Sequence, residues 1–170
     1  MLRAIRFLAI VFLFLPVILA PQAAGAVSLD QVREDLTTLD KLDLESGKLF
    51  GSLADIQEAL PARDRLAYYQ AETLVNMNAS YISRSRSIGS LLYARYFLMN
   101  GDDAETLEKM DELLSSHADL LWTFNNNDLN GMKEYEPELR NRKIRGQLRR
   151  LRKILRRFRK VLERYRTSSK

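Results

Sequence analysis

Ile144-Arg-Gly-Gln-Leu-Arg-Arg150, Leu151-Arg-Lys-Ile-Leu-Arg-Arg157 and Phe158-Arg-Lys-Val-Leu-Glu-Arg164 are three successive copies of one seven-residue pattern, and Tyr165-Arg166 opens a fourth. Written as a heptad, Ile144, Leu151, Phe158 and Tyr165 occupy d, and Leu148, Leu155 and Leu162 occupy a. Every e position is arginine: Arg145, Arg152, Arg159 and Arg166. Apolar residues at this spacing, flanked by charge, specify an amphipathic helix. Ile154 and Val161 carry the apolar stripe into g, a width that suits burial in a helical bundle better than the narrow seam of a two-stranded coil. Pairing of this helix with its own copy is disfavoured. Its g positions are Gln147, Ile154 and Val161, so the e arginines would find no acidic partner across a dimer.

The rest of the chain also carries helical periodicity, and no segment alternates cleanly enough to be a strand. Ser28 with Gln31 three residues on is a capping-box start for a first helix through Leu29, Val32, Leu36 and Leu39. Ser46-Gly47 is expected to interrupt it before Leu49, Leu53, Ile56 and Leu60 resume. Pro61 is expected as the first residue of a second helix. That helix runs through Leu66, Tyr69, Leu74, Met77, Tyr81, Ile88, Leu92 and Tyr96 to about Met99, with Asn100-Gly101 as its stop. Asp102 and Glu105 open a third, closed by Asn125-Asn126-Asn127. A polar loop and Glu136-Pro137 then lead to the basic helix, expected over about 138–167. The reading is all-α, a four-helix up-down-up-down bundle.

The N-terminus has the form of an export signal. Arg3 and Arg6 precede an apolar run from Phe7 to Ala20, and Ala24-Gly25-Ala26 offers the small residues read by an export peptidase. Residues 1–26 are therefore expected to be a cleavable signal peptide and residues 27–170 one mature domain. An uncleaved inner-membrane anchor is the weaker reading, because the run is about 14 residues where a spanning helix needs roughly 20. Either topology puts the domain outside the cytoplasm, in a bacterial periplasm or the secreted space. The chain has no cysteine, which excludes disulfides, lipidation at an N-terminal Cys and cysteine metal sites.

Charge is segregated. Residues 27–138 carry 10 Lys/Arg against 21 Asp/Glu, and residues 139–170 carry 15 against 1. Part of the basic helix is expected to be neutralised by the first helix, which holds Asp30, Glu34, Asp35, Asp40, Asp43 and Glu45. Arg149, Arg150, Arg156, Arg157 and Arg164 at b and c, with Lys153 and Lys160 at f, are expected to face solvent as an anion- or partner-binding strip. Guanidinium forks bind phosphate and carboxylate bidentately. Outside the cytoplasm the fitting partners are an anionic membrane surface, lipopolysaccharide or an acidic protein, and nucleic acid is not expected for the exported form.

Other chemistry finds little support. Asn126, Asp128, Asn130, Gly131 and Glu134 follow the start of an EF-hand loop, but Pro137 stands where the bidentate Glu is required, so the stretch 126–137 reads as a polar turn rather than a calcium site. His117 is the only histidine, which excludes a di-iron bundle built on two Glu-x-x-His motifs. With no Gly-rich phosphate loop and no carboxylate pair that stands out, no enzyme and no cofactor or metal is expected. The leading reading is an exported, non-enzymatic bundle that uses its basic helix to bind an anionic envelope component or acidic protein. The second is a periplasmic protein-binding module, of chaperone or inhibitor type, with an apolar groove between helices.

Overall fold

The computed structural model describes residues 28–98 and 104–166. Four α-helices account for nearly all of them: α1 (Leu29–Gln57), α2 (Arg65–Leu98), α3 (Ala104–Glu138) and α4 (Arg142–Leu162), with a 3₁₀ turn at Ala62–Asp64. No strand occurs among the described residues, and none of the described helices is long and apolar enough to cross a membrane. The export signal and the expected break at Asn100-Gly101 lie outside the described residues.

Ser28 caps α1 as its sequence suggests, its Oγ accepting from the Gln31 amide at 3.2 Å. The expected break at Ser46-Gly47 does not occur. Val32, Leu39, Leu42, Leu49, Leu53 and Ile56 form one unbroken buried stripe, and Ser46, itself buried, donates its Oγ to the Asp43 carbonyl at 2.8 Å. A helical glycine costs about 1 kcal/mol, less than the burial of even one of these leucines contributes at roughly 1.5–3 kcal/mol. Pro61 stands one turn ahead of α2. It begins the 3₁₀ turn, its carbonyl accepting from the Asp64 amide at 2.9 Å, and α2 starts at Arg65.

The largest correction concerns residues 125–137, which are not a loop. They are the C-terminal third of α3. Leu114, Ala118, Leu121, Asn125, Leu129, Met132 and Glu136 are all buried at helical spacing, so packing overrides the Asn-Gly composition. Asn125 finds an acceptor in α4, its Nδ2 donating to the Leu155 carbonyl at 3.1 Å. Pro137 sits one residue from the helix end. This also disposes of the EF-hand alignment: on a helix, Asn126, Asn130 and Glu134 are strung along one face over two turns while Asp128 points to the opposite side, so the four cannot converge on one ion. No group of three or more His, Cys, Asp or Glu among the described residues could hold a metal.

α4 begins four residues later than its charge pattern suggests, because Asn141 is the cap. Its Oδ1 accepts from the amides of Lys143 (3.0 Å) and Ile144 (3.2 Å). At the other end the helix closes at Leu162 and unwinds through a turn to Tyr165. All of Ile144, Leu148, Leu151, Ile154, Leu155, Phe158, Val161 and Leu162 are buried, so the a, d and g positions together form the α4 side of the core. α1 packs on α2 and α4, α3 packs on α2 and α4, and α2 also reaches α4 across the core. Neighbours run antiparallel, as the pairs Asp43–Arg86, Asn78–Asp128, Asn125–Leu155 and Asp35–Arg164 require. The basic helix therefore touches all three others and is an integral part of the core.

Candidate anion-binding face

Around the α4 axis, e and b lie on one flank of the buried stripe and g and c on the other. The e/b flank turns to α3. Glu136, 5% exposed, receives Arg149 Nε at 2.6 Å and Arg152 Nη1 at 2.9 Å. Arg166 Nε donates to Asp119 at 2.5 Å while its guanidinium stacks 3.8 Å over the Trp122 ring. Arg145 donates to the Leu139 carbonyl, and Arg159 pairs with Glu163 at 3.3 Å.

The c flank turns to α1. Arg157 Nη1 reaches both Glu45 carboxylate oxygens at 2.8 Å. Arg164 grips Asp35 with Nε at 2.9 Å and with Nη2, and the Tyr165 hydroxyl adds a bond to Asp35 at 2.7 Å. Asp35 is 2% exposed, and its hydrogen bonds hold the Arg164 pKa above the usual guanidinium value. α1 was expected to neutralise part of the helix, and it does so for Arg157 and Arg164 of the c row. Arg152 and Arg166 of the e row are met instead by α3, because in a four-helix bundle the two flanks of one helix face two different neighbours.

The seven cations expected to form one outward strip thus divide. Arg149, Arg157 and Arg164 are in ion pairs. Arg150, Lys153, Arg156 and Lys160 are exposed, and their side chains make no hydrogen bond or ion pair with any described residue. Their spacing of three, three and four residues places them on one outward ridge, about 15 Å long at the helical rise. The ridge borders a groove of about 370 Å³ between α1 and α4, lined by Glu45, Lys48, Ser52, Arg150, Lys153 and Arg157 over a floor of Leu49 and Ile154. Lys48 was missed in the sequence. It lies one turn beyond Glu45, and only the α1–α4 pairing shows that it joins the ridge.

The opposite side of the bundle has a different character. Tyr69, Gln70, Thr73, Leu74, Asp128, Met132 and Tyr135 line a groove of about 450 Å³ between α2 and α3. Tyr135 donates its hydroxyl to Gln70 Oε1 at 2.5 Å. At the back of the groove Asp128 accepts from Nδ2 of the fully buried Asn78 at 2.8 Å. Burial raises the Asp128 pKa above the usual carboxylate value, against the opposing effect of that hydrogen bond. Exposed Leu66, Tyr69, Met77, Leu113, Leu120 and Phe124 lie on these same two helices, with Tyr81 stacked on Phe124 at 5.3 Å.

The chain matches no protein-family model, no curated protein and no solved structure.

Proposed function

We propose that this is an exported, non-enzymatic bundle of up-down-up-down topology, freed from a signal peptide at residues 1–26, that docks on an anionic envelope surface through the outward ridge of α4. One observation carries the reading. The fold matches the flanking arginines of α4 with Glu45, Asp35, Glu136 and Asp119, yet supplies no carboxylate to Arg150, Lys153, Arg156 and Lys160. A merely structural charge run would be compensated along its length, as Arg149, Arg152, Arg157 and Arg164 are on either side of the ridge. The export pattern at Arg3, Arg6 and Phe7–Ala20 directs this ridge to where lipid headgroups and lipopolysaccharide phosphates are the abundant anions.

Each basic residue held near an anionic surface contributes on the order of 1 kcal/mol, so the four together strengthen partitioning by up to roughly 10³-fold. Charge reversal of Arg150, Lys153, Arg156 and Lys160 to Glu abolishes pelleting with anionic vesicles and leaves the melting temperature nearly unchanged, since all four are exposed and in no ion pair with a described residue. Raising salt to 0.5 M, where screening reaches only a few ångströms, has the same effect on the native chain. Binding that survives both treatments contradicts the proposal.

The second reading, a protein-binding module, is favoured by the apolar α2–α3 groove with exposed Tyr69 and Met77. It predicts salt-insensitive capture of an apolar segment, lost in Tyr69→Asp with Thr73→Asp.

A further inference from the structure

A second cationic cluster lies off the ridge, at the end of the bundle where α1 and α3 finish. There the α1–α2 connection brings Arg63 and Asp64, the α3–α4 connection brings Arg140 and Asn141, and the first turn of α4 brings Arg142 and Lys143. Together they surround a cavity of about 560 Å³. Its rim is braced: Asn141 Nδ2 donates to Asp64 Oδ2 at 2.9 Å while Asn141 Oδ1 caps α4. Asp64 is the one carboxylate in the lining, and it is engaged by Asn141. The side chains of Arg63, Arg140, Arg142 and Lys143 make no hydrogen bond or ion pair with any described residue. Four cations from two stretches of chain far apart in sequence, Arg63 and residues 140–143, thus face one polar cavity against a single carboxylate. Solvated arginines repel one another and gain nothing from converging, so the arrangement calls for an anion. The start of α4 at the rim adds its partial positive charge.

We propose that this cavity binds a phosphate monoester. A dianionic phosphate matches the cavity's net charge of +3 better than a diester does, and its three terminal oxygens can accept from two guanidinium forks at once. The inference rests on the docking reading in one respect: it makes the α4 ridge the general electrostatic contact and this cavity the place where the phosphate itself is recognised.

The test uses protein purified after expression of the full chain, with inorganic phosphate as the first probe, followed by calorimetry and by ³¹P NMR. Saturable binding is expected. Arg63→Ser combined with Arg140→Ser weakens it by about 100-fold, roughly tenfold per guanidinium. Arg150→Ser with Lys153→Ser leaves it within about twofold, the discrimination expected for groups outside the cavity. Arg63→Lys with Arg140→Lys keeps the charge but loses the fork, and an intermediate loss separates bidentate recognition from simple attraction. A second arm compares vesicles of phosphatidic acid with vesicles of phosphatidylglycerol at matched surface charge. Preference for the monoester lipid, lost in the Arg63/Arg140 variant, identifies a headgroup as the source, and phosphate binding without that preference identifies a soluble ester. No saturable phosphate binding, or equal weakening by the cavity and ridge variants, overturns the site. If vesicle binding ignores the ridge variant while phosphate binding still depends on Arg63 and Arg140, the docking proposal fails and this site stands.

Discussion

Gly131→Ala separates a helix from a loop at the point where composition and packing disagree most. In α3 this glycine is exposed, and a Cβ built there meets nothing within 4 Å. The substitution therefore gains helix propensity without a steric penalty, about 0.8–1.0 kcal/mol. For a domain of this size that corresponds to a rise in melting temperature of roughly 3–5 °C. Gly89→Ala is the internal control. Gly89 is buried where α2 crosses α1, and its Cβ would lie 1.9 Å from Leu36 Cδ2 and 2.8 Å from Leu36 Cγ. Overpacking of that kind costs about 1–3 kcal/mol and outweighs the same propensity gain of about 1 kcal/mol. Thermal melts followed by circular dichroism, with urea titrations to confirm the sign, read both variants. Were residues 126–137 the turn of a calcium loop, Gly131 would occupy its sharp bend and Ala would destabilise instead. A fall in melting temperature for Gly131→Ala refutes the continuous helix.

Two further predictions concern carboxylates, Glu136 buried and Asp128 half-buried. Glu136→Gln removes the acid that holds Arg149 and Arg152. Because these side chains are 59% and 27% exposed and can turn to water, the loss is about 1–2 kcal/mol rather than the 3–5 kcal/mol of a fully buried pair. A double-mutant cycle with Arg152→Gln, giving a coupling near zero, would show that the contact is incidental. Asp128→Asn raises stability at pH 7. Burial lifts the folded-state pKa of Asp128, so its charged form weighs against folding above that pKa and costs nothing once both states are protonated. The variant's advantage shrinks as the pH falls to 3, and an advantage that grows on acidification contradicts the assignment.

α4 could be read from sequence because its contrast between leucine and arginine is extreme and its period regular. Eight of the nine a, d and g residues named for the stripe are buried where the heptad puts them, and the ninth, Tyr165, is partly buried just past the helix end. The C-terminal third of α3 could not be read in the same way. Asn125-Asn126-Asn127, Gly131 and Pro137 are strong local breakers, and only the buried series Leu121, Asn125, Leu129, Met132 and Glu136 shows that the period continues. That series was present in the sequence, but counting Asn and Glu as core positions requires knowing that Leu155 and Arg152 wait across the interface. The same gap explains the candidate site. In a two-stranded coil b and c face water, whereas in a four-helix bundle they flank the neighbouring helices, which ties Arg149, Arg157 and Arg164 into ion pairs. Lys48, Arg63 and Arg140 join cationic sites only through contacts between distant segments, which no local pattern encodes.

The absence of cysteine allows the docking face to be observed directly. A single cysteine at Gly146, an f position in line with the ridge where a Cβ meets nothing within 4 Å, carries an environment-sensitive fluorophore without removing a charge. A second protein carries the same label at Thr73 in the α2–α3 groove. On addition of anionic vesicles at low salt, the account predicts a blue shift at position 146, reversed by 0.5 M salt, and no change at position 73. A shift at position 73 with none at position 146 contradicts it and makes the apolar groove the working surface.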